Sequence, residues 1–89
     1  MKKVVIYVIE FYLITFENTG STMKAEAYLK KQGYSLMIMP TPTFITKSCG
    51  ISIRVQQDLG DTIKEVLSKG EVQFKAYFMK ENGKYVQVL

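Results

Sequence analysis

Apolar residues fall into short runs with two different periods along this chain. From Val4 to Phe16 the sequence is dense in Val, Ile, Tyr and Phe, residues that suit a pleated, half-buried surface. This predicts a long strand, or a short strand running into a second, centred on Phe11 to Phe16. Asn18-Thr19-Gly20 then turns, and Ser21 or Thr22 offers an N-cap hydroxyl for a helix through Gln32, closed by Gly33. Ala25, Tyr28 and Leu29 share one face of it, with Lys24, Lys30 and Lys31 elsewhere.

Tyr34 to Met39 predicts a second strand, stopped by Pro40-Thr41-Pro42, and Thr41 to Gly50 reads as a polar loop. Ile51, Ile53 and Val55 alternate with Ser52 and Arg54, the mark of a strand with one wet face. Asp58 is placed to cap a helix carrying Leu59, Ile63, Val66 and Leu67 at helical spacing, and Gly70 ends it. Val72, Phe74, Ala76 and Phe78 alternate as a strand to Met79. Asn82-Gly83 accepts the positive φ angles of a type I′ turn, and Tyr85 to Val88 returns as a short edge strand. The order is βαββαβ plus a C-terminal hairpin strand. That pattern predicts an α+β, ferredoxin-like two-layer sandwich.

The 89 residues leave room for one core. The expected division is a single domain over 11–89, preceded by an extension or edge strand over 1–10. Lys2-Lys3 ahead of an apolar stretch has the look of a leader, but no small-residue cleavage site follows and Glu10 interrupts the run. Val4 to Phe16 is also shorter than the roughly 20 residues of a membrane span. A single cysteine permits no disulfide within the chain. The reading is a soluble, cytoplasmic protein that does not act at a membrane.

The net charge of +4 arises from 12 basic residues dispersed among eight acidic ones, a pattern of solvated surface. The RNA-recognition fold shares the βαββαβ order but stacks bases on aromatics of its third strand. Here that strand, Ile51 to Val55, has none, and Tyr12 and Tyr77 read as packing residues. No nucleic-acid partner is expected. Without histidine, one thiol cannot make a tetrahedral zinc site in a monomer, and no metal or cofactor is expected. No carboxylate pair or phosphate-binding glycine loop is marked out by spacing.

The remaining chemistry centres on Cys49, in Thr46-Lys47-Ser48-Cys49-Gly50, a polar stretch between two apolar runs. Structural cysteines more commonly sit within apolar runs. In the expected fold the Asn18–Thr22 turn and the Thr41–Gly50 loop leave the sheet at the same end. If Cys49 faced the first helix start at Gly20, Ser21 and Thr22, the unpaired N–H groups there would favour its thiolate. Lys47 would add to that effect, Ser48 could hydrogen-bond nearby, and Gly50 fits a close backbone approach or a left-handed angle. The same hydroxyls, with Thr43 and Thr46, can equally serve loop backbone groups or a small anion.

Several segments resemble a family of small bacterial and archaeal proteins described as selenium/sulfur carrier-like, a domain of unknown function. They are an apolar strand ending in Phe16, the helix segment Met23-Lys24-Ala25-Glu26 closed by Gly33, Met39-Pro40-Thr41-Pro42, and Ser48-Cys49-Gly50 before an apolar strand. The resemblance runs from about Phe11 to Met79. It implies a thiol, Cys49, that holds sulfur or selenium as a persulfide or selenopersulfide, with Ser48 and Gly50 in support. It also implies donor and acceptor proteins as partners. Family members often carry a histidine before the first helix, where this chain has Gly20. The competing reading is a non-catalytic ligand-binding or interaction module, with edge strands Val4–Ile9 or Tyr85–Val88 pairing two copies into a homodimer. On either reading a carrier or binding protein is expected rather than a conventional enzyme.

Overall fold

The structure, a computed structural model, describes residues 8–45 and 50–89. Strands β1 (Ile9–Thr15), β2 (Met37–Pro40), β3 (Ile51–Gln56), β4 (Ala76–Glu81) and β5 (Lys84–Gln87) form one sheet, and helices α1 (Thr19–Lys31) and α2 (Gly60–Ser68) complete the fold. The class is α+β. The strands run in the order β2-β3-β1-β4-β5, every neighbouring pair antiparallel. β1 begins at Ile9, so Ile9 and Glu10 belong to a central strand rather than to an edge.

Alternation along the strands sorts the side chains into two faces. Tyr12, Ile14, Ile53, Val55 and Tyr77 meet Ala25 and Leu29 of α1 and Ile63 and Leu67 of α2 in one core. Both helices therefore cover the same face, as the helical periodicities require. The opposite face carries Phe11, Leu13, Thr15, Ser52 and Ala76, all buried as well. Leu13, flanked by Arg54 on β3 and Phe78 on β4, is fully buried. Phe11 lies beneath two cations: the Arg54 guanidinium carbon is 4.5 Å from the ring centroid and Lys80 Nζ is 5.2 Å from it.

Pairing of β1 with β4 slips by one residue between Ile9 and Phe11, leaving Glu10 as a bulge. The slip turns Ile9 to the helix side, where it packs against the core. Glu10 in turn accepts a 3.0 Å hydrogen bond from the Gly83 N–H in the β4–β5 turn. Val8 and Asn82 bond reciprocally: Val8 N–H donates to Asn82 Oδ1 at 3.1 Å, and Asn82 N–H to Val8 O at 3.0 Å. The turn has φ of 50° at Asn82 and 78° at Gly83, the two positive angles that Asn-Gly predicts.

Three expectations need correction. The N-cap of α1 is Asn18, whose Oδ1 accepts from Ser21 N–H at 2.8 Å, so Ser21 and Thr22 lie within the first turn. The Thr22 hydroxyl instead bonds back to Asn18 O at 3.1 Å. Asp58 does not cap α2: it sits in a 3-10 turn, Gln57–Leu59, and α2 starts at Gly60 without a side-chain cap. Val72 and Phe74 precede β4 and pack on the core from a loop, because a strand-like alternation also suits a loop laid over an apolar floor.

Gly60 is dictated by its neighbour. Tyr12 and Tyr77 stack in the core with centroids 5.4 Å apart and planes 17° from parallel. The Tyr77 hydroxyl donates to Gly60 O at 2.8 Å, drawing the start of α2 onto the Tyr12 ring. A Cβ at position 60 would lie within 3.0 Å of three Tyr12 ring atoms.

Candidate functional site: the connection between β2 and β3

β2 and β3 pair as a hairpin from Met37↔Arg54 to Pro40↔Ile51. The pairing reaches one step into the connection, where Thr41 N–H donates to Gly50 O at 3.1 Å. Since Ile14 pairs with Ile53, this connection leaves the sheet at the end where β1 runs on toward α1. Three site residues expected from sequence, Lys47, Ser48 and Cys49, lie outside the described residues. Gly50, next in the chain to Cys49, is exposed. Among the described residues, an added Cβ there would meet nothing within 4 Å.

Thr41 has the most unusual environment in the described part of the connection. It is 8% exposed, and its Oγ1 is buried without a hydrogen-bond partner. Other buried hydroxyls at this end of the sheet are spent on carbonyls: Thr15 Oγ1 donates to Ala76 O at 3.3 Å and Ser52 Oγ to Met39 O at 3.4 Å. The neighbouring prolines hold Thr41 on both sides: Pro40 has a locked φ, and Pro42 restricts the residue before it to extended geometry. Sequence reasoning passed over Thr41 as a loop hydroxyl. The available signal was the Pro-Thr-Pro bracket, which fixes a backbone and hence a side-chain direction.

Further along, the connection turns through Ile45 N–H to Pro42 O at 3.0 Å. Phe44 then reaches the face away from the helices, its ring 5.7 Å from Tyr85 on β5. Tyr85 in turn meets Phe11 at 6.2 Å and Phe78 at 6.4 Å. Burial raises the Tyr85 phenol above its ordinary pKa; Glu10 adds to the shift and Arg54 opposes it.

The other expected residues, Gly20, Ser21 and Thr22, form the first turn of α1. An added Cβ at Gly20 would sit 3.3 Å from the capping Asn18 Oδ1, a tight contact that accounts locally for glycine there. Beside this turn runs a cleft of about 270 Å³ that Glu17 and Ser21 line. It adjoins a second of about 300 Å³ between α1 and residues 71–73, reached by Lys24 and Tyr28. Glu17 gives the first cleft a negative charge, which weakens it as an anion site. In the second, the Tyr28 hydroxyl donates to Glu71 Oε2 at 2.7 Å, and that bond is the main cause of its raised pKa. Among the described residues, no group of His, Cys, Asp or Glu could hold a metal ion, and no helix is long and apolar enough to cross a membrane.

The molecule is thus a small α+β domain whose one cysteine falls in a hairpin connection held by a rigid Pro-Thr-Pro entry. The chain belongs to the family described as "Putative Se/S carrier protein-like", whose model matches residues 11–79. No curated protein and no solved structure matches it.

Proposed function

We propose that the protein carries sulfur or selenium on Cys49, between a donor protein and an acceptor protein. The observation that carries this reading is the family match over residues 11–79, a span that includes the chain's one cysteine. In the sulfur reaction, the Cys49 thiolate attacks the outer sulfur of a donor persulfide. A Cys49–sulfur bond forms, the donor sulfur–sulfur bond breaks, and the donor leaves as a thiolate. The product is a Cys49 persulfide, with no net oxidation. Delivery is the same exchange in reverse, onto an acceptor thiolate. One thiol suffices for both steps, and Lys47, Ser48 and Gly50 would support it.

The same reading includes a ferredoxin-like fold. The strand order supports it: β1 and β2 straddle β3, and β3 and β4 straddle β1, as two interleaved βαβ units would require. It also includes a cytoplasmic bacterial setting and a homodimer formed through an edge strand. Mass spectrometry of the intact protein after exposure to a persulfide or selenopersulfide donor tests the carrier role. The expected result is a gain of one sulfur or selenium atom in the native chain and none in Cys49→Ser. Equal uptake by both chains, or uptake by neither, would sink the proposal.

A second reading, a small-molecule binding module, is favoured by the cleft of about 300 Å³ beside α1. It requires Cys49→Ser to leave function intact.

A further inference from the structure

Among the described residues the sheet ends in two edge strands, β2 and β5, and their backbones differ in what they offer outward. In an antiparallel ladder alternate residues bond to the neighbouring strand, and those between them face out. On β2, Thr41 N–H bonds to Gly50 O, so Met37 and Met39 turn their backbone groups to β3 while Ile38 and Pro40 turn theirs outward. Pro40 has no N–H, and an outward proline blunts an edge. On β5, the two-residue Asn82-Gly83 turn makes Glu81↔Lys84 a bonded pair, and Val88 N–H bonds to Tyr77 O at 2.7 Å. The backbone groups of Lys84, Val86 and Val88 therefore face β4, and those of Tyr85 and Gln87 face out. Large apolar side chains stand exposed on both sides of this strand. Val86, opposite the core-packed Met79, lies on the helix side and is 46% exposed. On the other face Phe44 is 76% exposed although its ring meets Tyr85.

We infer that β5 pairs antiparallel with β5 of a second copy, across a two-fold axis through Val86. This rests on the homodimer proposed above and deepens it by choosing the edge and the register. Tyr85 then exchanges both backbone bonds with the partner's Gln87, and Gln87 with the partner's Tyr85, so every outward group is used. Val86 faces the partner's Val86 at a non-bonded position, where side chains come closest. Two features select this register. With Val86 on the axis the two copies of Lys84 stand four residues apart along the ladder, about 14 Å, beyond the Debye length of about 8 Å at physiological salt. With Tyr85 on the axis they would be only about 7 Å apart and repel. With Gln87 on the axis, Tyr85 would face the partner's Leu89, whose N–H and carbonyl are already bonded to Tyr77. A second copy is favoured over a foreign strand because this register sets no charge against its like and wastes no outward group. An edge this short buries no more than the low end of stable interfaces, about 1,200 Å², so the dimer dissociates on dilution.

The test is sedimentation of the full chain from about 1 μM to 1 mM. The apparent mass should rise from 10.2 kDa towards twice that value. Val86→Lys, which opposes two ammonium groups at the axis, should hold it at the monomer mass throughout. Met37→Glu, on the other edge with Arg54 opposite, should keep the native curve. Both positions are exposed, so neither change disturbs the core. Register is read by cross-linking in a Cys49→Ser background. Val86→Cys should form a covalent dimer under mild oxidation, because facing non-bonded residues have Cα atoms about 4.5 Å apart, within disulfide reach; Met37→Cys should not. A native chain that stays monomeric overturns both this inference and the homodimer. A dimer that persists in Val86→Lys, that is lost in Met37→Glu, or that cross-links through Met37→Cys and not Val86→Cys overturns the β5 pairing and keeps the homodimer. Sulfur uptake by Cys49 is measured separately, so the carrier reading stands or falls on its own.

Discussion

Placing a methyl group at Gly60 is the most incisive test of how this core is assembled. In a helix first turn with no neighbour above it, Gly→Ala is expected to stabilise by up to about 1 kcal/mol through reduced chain entropy. Here the added carbon would enter the Tyr12 ring, within 3.0 Å of three ring atoms. The ring has little freedom to retreat, because it is stacked on Tyr77, whose hydroxyl is itself bound to Gly60 O at 2.8 Å. Overpacking of this kind costs about 1–3 kcal/mol, so the net effect of Gly60→Ala is a destabilisation of about 1–2 kcal/mol. For a domain of this size that lowers Tm by roughly 4–16 °C. Thermal and urea unfolding followed by circular dichroism would measure it. In a Tyr12→Leu background the same substitution should become neutral or stabilising, a coupling of at least about 1 kcal/mol. A Gly60→Ala chain that melts higher than the native protein would refute the argument, because propensity alone would then govern the site.

Two further outcomes follow from particular bonds. Removing the α1 cap with Asn18→Ala should cost about 1 kcal/mol, while Asn18→Asp keeps most of it; a urea midpoint unchanged in the alanine chain would contradict the role given to the 2.8 Å bond to Ser21 N–H. Stability should also fall above about pH 10. Burial, followed by the nearby Tyr12 and Asp61, holds the Tyr77 phenol far above the ordinary tyrosine value. Below the unfolded-state value Tyr77 is protonated in both states and its contribution is fully present. Above it only the unfolded phenol ionises, so unfolding is favoured by up to about 1.4 kcal/mol per pH unit per such group. Urea midpoints measured between about pH 8 and pH 11.5 should show this decline, and Tyr77→Phe should make it shallower; equal slopes in the two chains would rule out Tyr77 as the source.

The features legible in the sequence were those written in local code. The Asn82-Gly83 turn, the apolar stripe of α2 and the alternation of β3 each depend on residues a few positions apart. What escaped was set by distant partners. Asp58 looks like a cap until the Tyr77 hydroxyl, 17 residues away from Gly60, brings α2's start to Gly60 instead. Val72 and Phe74 alternate like a strand because the core beneath them is apolar, whether or not a neighbour offers ladder hydrogen bonds. The meeting of Phe44 with Tyr85 joins residues 41 positions apart and has no counterpart in local spacing. At the candidate site, Cys49 stood out by residue type. The condition of Thr41 did not, since an unpartnered hydroxyl is a property of packed neighbours.

The bulge at Glu10 shows that regularity is the wrong target for anyone redesigning this protein. It works as a phase switch: side chains on either side of it obey opposite rules for in and out. Deleting Glu10 would straighten the ladder and give a cleaner pattern on paper. The same edit would leave Ile9 on the helix side, one regular step from Phe11, but take away the carboxylate that receives the Gly83 N–H. The irregular residue helps tie the first strand to the last hairpin, so the tidier strand would belong to the less coherent molecule.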